Sequence, residues 1–177
     1  MSRNRYIGDY HLADCLDDRG RIRTEVEYIG GLYSFSKDAG TVRKTKYQIL
    51  ILCAVGWLAY IGAMIPVSTA TKTIYTALPF VFIAVPLGLL TGTALLIFPI
   101  KERFEHRFAD RIENRYPSSC MFIVFLSAVS LLCEAVNLIR GLEMRKGDIL
   151  FTACAFVILL VGVLAFRSRD GVKCVKG

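Results

Sequence analysis

Four long runs of apolar residues, nearly free of charge, set the hydrophobic pattern of this chain. They cover residues 47–67, 74–100, 117–139 and 149–166. An α-helix rises about 1.5 Å per residue, so each run is about long enough to cross roughly 30 Å of hydrocarbon. The pattern therefore predicts an all-α membrane protein, built as a bundle of four transmembrane helices.

The segment before the first run, residues 1–46, has a different period. Apolar or β-branched residues alternate with charged ones over 22–28, which predicts a strand. Turn residues at 17–20 and apolar positions over 6–12 predict a partner strand, and a third strand is expected over 32–35. We expect a small β-hairpin or meander that docks onto another surface, because so few short strands are not stable alone. A disordered tail is the alternative.

The charged stretch 101–116 between the second and third runs repeats an apolar residue every four positions. This spacing predicts an amphipathic helix that ends at Pro117. Its apolar face forms a hypothetical partner-binding surface, consisting of Phe104, Phe108, Ile112 and Tyr116. We favour a platform that the N-terminal strands cover; a helix lying flat on the inner leaflet, or one continuing the second span, are the alternatives.

Two prolines, Pro79 and Pro86, interrupt the second run and predict breaks in that helix. Proline is common in membrane spans, so a kinked packing helix is the favoured interpretation. A flexible or ion-coordinating element, as in the broken helices of transporters, is the alternative.

The third run carries a polar stripe, and its hypothetical coupling site is formed by Ser127, Ser130, Glu134 and Asn137. At about 100° per residue these positions share one face of the helix. Glu134 is the one ionisable residue within the four runs, and a carboxyl in hydrocarbon is expected to face protein or water rather than lipid. It is interpreted as a packing group, as a proton or cation site, or, least favoured, as a catalytic acid or base.

Composition agrees with this architecture, since 54% of the residues are hydrophobic and the mean hydropathy is +0.48. Eighteen of the 22 Lys and Arg residues lie before the first run, between the second and third, or after the fourth. The positive-inside rule therefore predicts a multi-pass protein of the cell membrane with both termini in the cytoplasm. The residues expected to contact anionic headgroups are Arg43, Lys44, Lys46, Arg167 and Arg169. Acidic residues interleave with the basic ones, which argues against nucleic-acid binding.

Chemical motifs give little further indication of function. The six cysteines contain no C-x-x-C pair, and no spacing typical of a metal site or of a catalytic centre is present, so no cofactor, metal or enzymatic activity is expected. The external loops, 68–73 and 140–148, are too short for a ligand-binding ectodomain. We expect a non-enzymatic subunit or oligomeric scaffold that presents a cytoplasmic surface to partners. The alternative is a small oligomeric transporter or channel that uses Glu134 as a coupling site.

Overall fold

The computed structural model describes residues 10–16, 22–28, 30–65, 73–100, 103–139 and 146–176. These residues are mostly helical, and four helical stretches are long and apolar enough to cross a membrane. The stretches are Ala39–Met64, Ile74–Ile97, His106–Asn137 and Gly147–Gly171. The predicted helical architecture with four candidate spans is therefore confirmed.

The helices form one bundle in which the first and the last pack side by side. Their bounds are α1 Ala39–Met64, α2 Ile74–Phe82, α3 Ala84–Ile97, α4 His106–Asp110, α5 Tyr116–Ile139 and α6 Lys146–Ser168, with a π-helical turn over Arg111–Arg115 and a 3₁₀ turn over Arg169–Gly171. Helix α6 contacts both α1 and α5, while α2 and α3 pack on α5. Each helix buries one face and leaves large apolar side chains such as Leu58 and Phe125 exposed on the other. An aqueous surface rarely carries this much bare apolar area, whereas acyl chains would cover it.

Helix α1 begins at Ala39, about two turns before the first predicted span, which was expected to begin at residue 47. The added turns belong to the same packing face, because Val42 and Thr45 are buried in register with Ile49 and Cys53. Buried residues recur every three or four positions along this face, as one side of an α-helix requires. Helix packing therefore extends α1 beyond its hydrocarbon-length apolar run.

Among the residues that the structure describes, five strands form two separate sheets. Strands β1 Tyr10–Leu16 and β2 Ile22–Tyr28 make an antiparallel hairpin, with Tyr10 opposite Tyr28 and Leu16 opposite Ile22. The predicted third strand exists as β3 Leu32–Phe35, but it does not extend the hairpin into a meander. It lies instead between β4 Arg103–Glu105 and β5 Cys174–Lys176, antiparallel to both.

The three-stranded sheet joins parts of the chain that are far apart in sequence. Its strands come from the N-terminal segment, from the connection between the second and third spans, and from the C-terminal tail. The ring of Phe35 packs on Phe104 at 4.9 Å between centroids, and the Ser36 amide donates to the Lys173 carbonyl at 2.9 Å. All three segments therefore lie at one end of the bundle, as an even number of crossings requires. That this end faces the cytoplasm remains a prediction from charge.

The stretch 101–116 differs from the single amphipathic helix that was expected. Residues 103–105 pair with β3 as a strand, and the helix that follows runs through the π-helical turn into α5 without ending at Pro117. In that turn the Tyr116 amide donates to the Arg111 carbonyl, five residues earlier. Pro117 has no amide hydrogen to donate to the preceding turn, and the Ser118 hydroxyl donates to the Asn114 carbonyl at 2.7 Å. The proline therefore marks a change of helix winding instead of an end.

The second span is interrupted at Ile83, between the two prolines. Pro79 lies inside α2, whereas Pro86 occupies the first turn of α3, where a missing amide hydrogen costs little. Next to the break the Tyr60 hydroxyl donates to the Val81 carbonyl at 3.4 Å. A neighbouring helix thus provides a hydrogen bond to backbone near the interruption, as hydrocarbon surroundings require.

Candidate functional site

The polar stripe of α5 faces the interior of the bundle. Ser127 and Ser130 have no exposed surface, and Glu134 and Asn137 are 5% and 2% exposed. The Ser130 hydroxyl donates to the Leu126 carbonyl at 2.9 Å, which is the usual partner of a serine within a helix. The hydroxyl of Ser127 is the buried side-chain oxygen that has no partner among the residues that the structure describes.

Asn137 connects α5 to α2. Its amide nitrogen donates to Oε2 of Glu134 and to Oγ1 of Thr76, each at 3.2 Å. Its amide oxygen accepts a hydrogen bond from the Tyr75 hydroxyl, and Thr73 donates to Thr76 at 3.1 Å. Tyr75 and Thr76 lie about one turn before Pro79 in the second span. Their hydrogen bonds with Asn137 place them beside the predicted stripe.

A second carboxyl group, that of Asp148, belongs to the same region. Asp148 lies in the first turn of α6 and is 2% exposed, and its charge acts on Glu134. The fourth apolar run begins at residue 149, so the sequence predicts that Asp148 lies in an external loop. The loop assignment is wrong, because α6 begins at Lys146. An acidic residue in the first turn favourably meets the positive end of the helix dipole. An acid just before an apolar run was the signal that could have revealed it.

The cluster of Glu134, Asn137, Asp148, Thr76 and Tyr75 combines two carboxyls, one amide and two hydroxyls from three helices. Two ionised carboxylates in one region repel each other in a poorly hydrated setting, and a proton or a cation bound there would reduce that repulsion. Oxygen groups of these kinds are typical ligands of hard cations. No group of three or more His, Cys, Asp or Glu side chains suited to a metal ion occurs in the described part of the chain.

The predicted partner-binding face is largely covered by the chain itself. Phe104, Ile112 and Tyr116 are buried, whereas Phe108 keeps partial exposure. The Tyr116 hydroxyl donates to the Ala165 carbonyl at 2.7 Å, which fastens the start of α5 to the end of α6. Strand β3 pairs with β4 at the start of this stretch, and partner binding by this face remains a prediction.

Comparison of the chain with protein-family models, with curated proteins and with solved structures gives no match.

Proposed function

We propose that this protein is a small, non-enzymatic subunit of the cell membrane, whose four helices anchor a strand-rich end that recruits a partner protein or further copies of the chain. The observation that carries the proposal is the hairpin β1–β2, which forms a sheet of its own. In the described part of the chain, each strand of the hairpin pairs along one edge only.

Unpaired strand edges are open to pairing with another chain. Each presents a row of backbone donors and acceptors, and proteins usually shield such rows or use them to bind an extended segment. A two-stranded hairpin is also marginally stable in water by itself. A partner that adds a strand would satisfy the backbone groups and stabilise the hairpin in the same step.

The three-stranded sheet adds an apolar patch at this end. Leu32 and Val175 are 42% and 49% exposed, and Val175 lies opposite Ser34, which shares a strand face with Leu32. The two apolar side chains therefore lie on one outer face of the sheet. Exposed apolar residues on a short sheet are typical of a contact surface.

The test compares two substitutions in the interior of β2, Thr24→Pro and Thr24→Val. Proline removes a backbone donor and disfavours strand pairing, whereas valine keeps the β-branched shape. The tagged protein is purified from native membranes in mild detergent. The mass of the purified particle and the stoichiometry of any co-purifying proteins are then measured. We expect the parent chain and Thr24→Val to purify with one co-purifying protein at fixed stoichiometry, or as a defined oligomer. With Thr24→Pro, the amount of that complex or oligomer should fall at least tenfold.

Deletion of residues 1–29 provides a second variant, because it removes the hairpin and leaves β3 in place. The thermal stability of the bundle should change little in this deletion. The proposal would be contradicted if the parent chain purified as a monomer without co-purifying proteins. It would also be contradicted if a partner bound equally well to the parent chain, to the deletion variant and to Thr24→Pro.

A second candidate function is proton or cation coupling, and the burial of Glu134 and Asp148 in the same region of the bundle favours it. Protonation or ion binding at such a pair would change the interactions between α5 and α6, which is the kind of local change that transport cycles use. Oligomerisation would be needed to enclose a pathway around four helices.

Glu134→Gln tests this candidate in sealed vesicles that contain a pH-sensitive dye. If the cluster couples transport, proton or sodium flux of the parent protein falls at least tenfold in Glu134→Gln and stays unchanged in Glu113→Gln, which alters an exposed carboxyl outside the cluster. Absence of flux through the parent protein, or equal flux through both variants, would exclude coupling by Glu134.

A further inference from the structure

A cleft of about 660 Å³ opens at the sheet end of the bundle, between β3, the start of α1 and the end of α3. This volume is typical of pockets that bind small ligands, which measure roughly 300–1,000 Å³. The described residues that line it include Phe35, Lys37, Arg43, Lys46, Tyr47 and Phe98.

The polar side of the cleft is cationic. It contains Lys37, Arg43 and Lys46, and no acidic side chain is present among the described lining residues. The Lys46 ammonium donates to the Ile100 carbonyl and lies 4.9 Å from the centre of the Phe35 ring. These contacts hold Lys46 in place, and an ammonium has three donors, so two remain for a ligand. A fixed ammonium beside a guanidinium suits a phosphate group.

The other side of the cleft is aromatic and continuous with the lipid-facing surface. The rings of Tyr47 and Phe98 meet edge to face at 5.5 Å, and both side chains are close to half exposed. They lie where the apolar parts of α1 and α3 give way to the polar end, which is where aromatic residues gather at a membrane interface. A ligand that fills the whole cleft therefore has a negatively charged group attached to an apolar body.

We propose that this cleft binds an anionic phospholipid, with the phosphate of the headgroup on Arg43 and Lys46 and the acyl chains along Tyr47 and Phe98. Lys37 would contact the outer part of the headgroup. The aromatic wall favours a lipid over free phosphate, because soluble phosphate leaves that wall uncovered. This inference is independent of the proposed partner recruitment, since the cleft is formed without the hairpin.

Native mass spectrometry from mixed micelles containing equal amounts of phosphatidylcholine and phosphatidylglycerol tests the proposal. The variants are Arg43→Gln and Lys46→Met, and the matched control is Lys44→Gln. Lys44 is expected from the sequence to meet headgroups in general, but it is exposed and lies outside the lining, so it should not contribute to selective retention of one lipid in the cleft. We expect one phosphatidylglycerol to be retained selectively by the parent chain and by Lys44→Gln. Each cleft variant should weaken that binding about fivefold, as expected for one headgroup contact.

Thermal denaturation of each variant checks folding, and Arg43→Gln keeps the test valid if loss of the Lys46 hydrogen bond disturbs the structure. An equal loss in Lys44→Gln would show diffuse surface attraction and overturn the site. Retention of no anionic lipid would do the same. Competition by glycerol phosphate at the affinity of the lipid would make the occupant a soluble phosphate and overturn the lipid assignment.

Discussion

The hydrogen bond between Tyr75 and Asn137 offers the sharpest test of how the polar cluster holds the bundle together. It joins α2 to α5, and Tyr75→Phe removes the donating hydroxyl without removing the ring. Asn137→Leu removes the acceptor while keeping the number and branching of the side-chain heavy atoms. The double variant completes a thermodynamic cycle that isolates the contribution of this one bond.

The expected magnitudes follow from the number of hydrogen bonds that each variant removes. Interhelical side-chain bonds in membrane proteins contribute about 0.6 kcal/mol on average and up to about 1.7 kcal/mol. Tyr75→Phe removes one such bond, so it should lower the free energy of unfolding by about 0.6–1.7 kcal/mol. Asn137→Leu also removes the bonds to Thr76 and Glu134, so about 2 kcal/mol or more is expected. The coupling energy should equal the cost of the single bond.

Unfolding by sodium dodecyl sulfate in mixed micelles can be followed by the emission of Trp57, the one tryptophan of the chain. Its indole nitrogen donates to Thr91 at 3.0 Å, so the signal reports the contact between α1 and α3. Tyr47→Phe is the control for removal of a tyrosine hydroxyl away from the cluster. A coupling energy below about 0.3 kcal/mol, within the error of additivity, would refute the bond between Tyr75 and Asn137.

Two further predictions concern packing and pH. Gly162→Ala should destabilise the protein by about 1–3 kcal/mol, because the added Cβ would lie 2.9 Å from a methyl group of Val124. Gly92 has open space around it, so Gly92→Ala should cause no measurable loss of stability in the same unfolding titration. Burial, followed by the charge of Glu113, raises the pKa of Cys174 to about 12. Because the folded pKa exceeds the unfolded value of about 8.5, the folded state should lose stability as pH rises from about 8.5 towards 12. In Cys174→Ser, the melting temperature should fall less steeply with pH over that window. Equal melting curves for parent and variant across these pH values would contradict this account, as would equal stabilities of the two glycine variants.

The buried face of α5 shows how far a local pattern could predict the candidate site. The spacing of Ser127, Ser130, Glu134 and Asn137 placed them on one helix face, and all four are buried. Their partners were not predictable in the same way, because Thr76 lies about sixty residues earlier in the chain and ordinary hydroxyl residues give no signal of pairing. Asp148 was missed because helix α6 begins before its apolar run.

By itself the sequence determined the four candidate spans, the hairpin and the third strand, because these depend on the periodicity of neighbouring residues along one stretch of chain. Only the tertiary structure decided that β3 pairs with β4 and β5, that the stretch before Pro117 continues into α5, and that two carboxyls share one cluster. Segments as short as Cys174–Lys176 have almost no intrinsic preference for the strand conformation. Their hydrogen bonds form with segments distant in sequence, and folding of the helices is what brings those segments to the same end of the bundle.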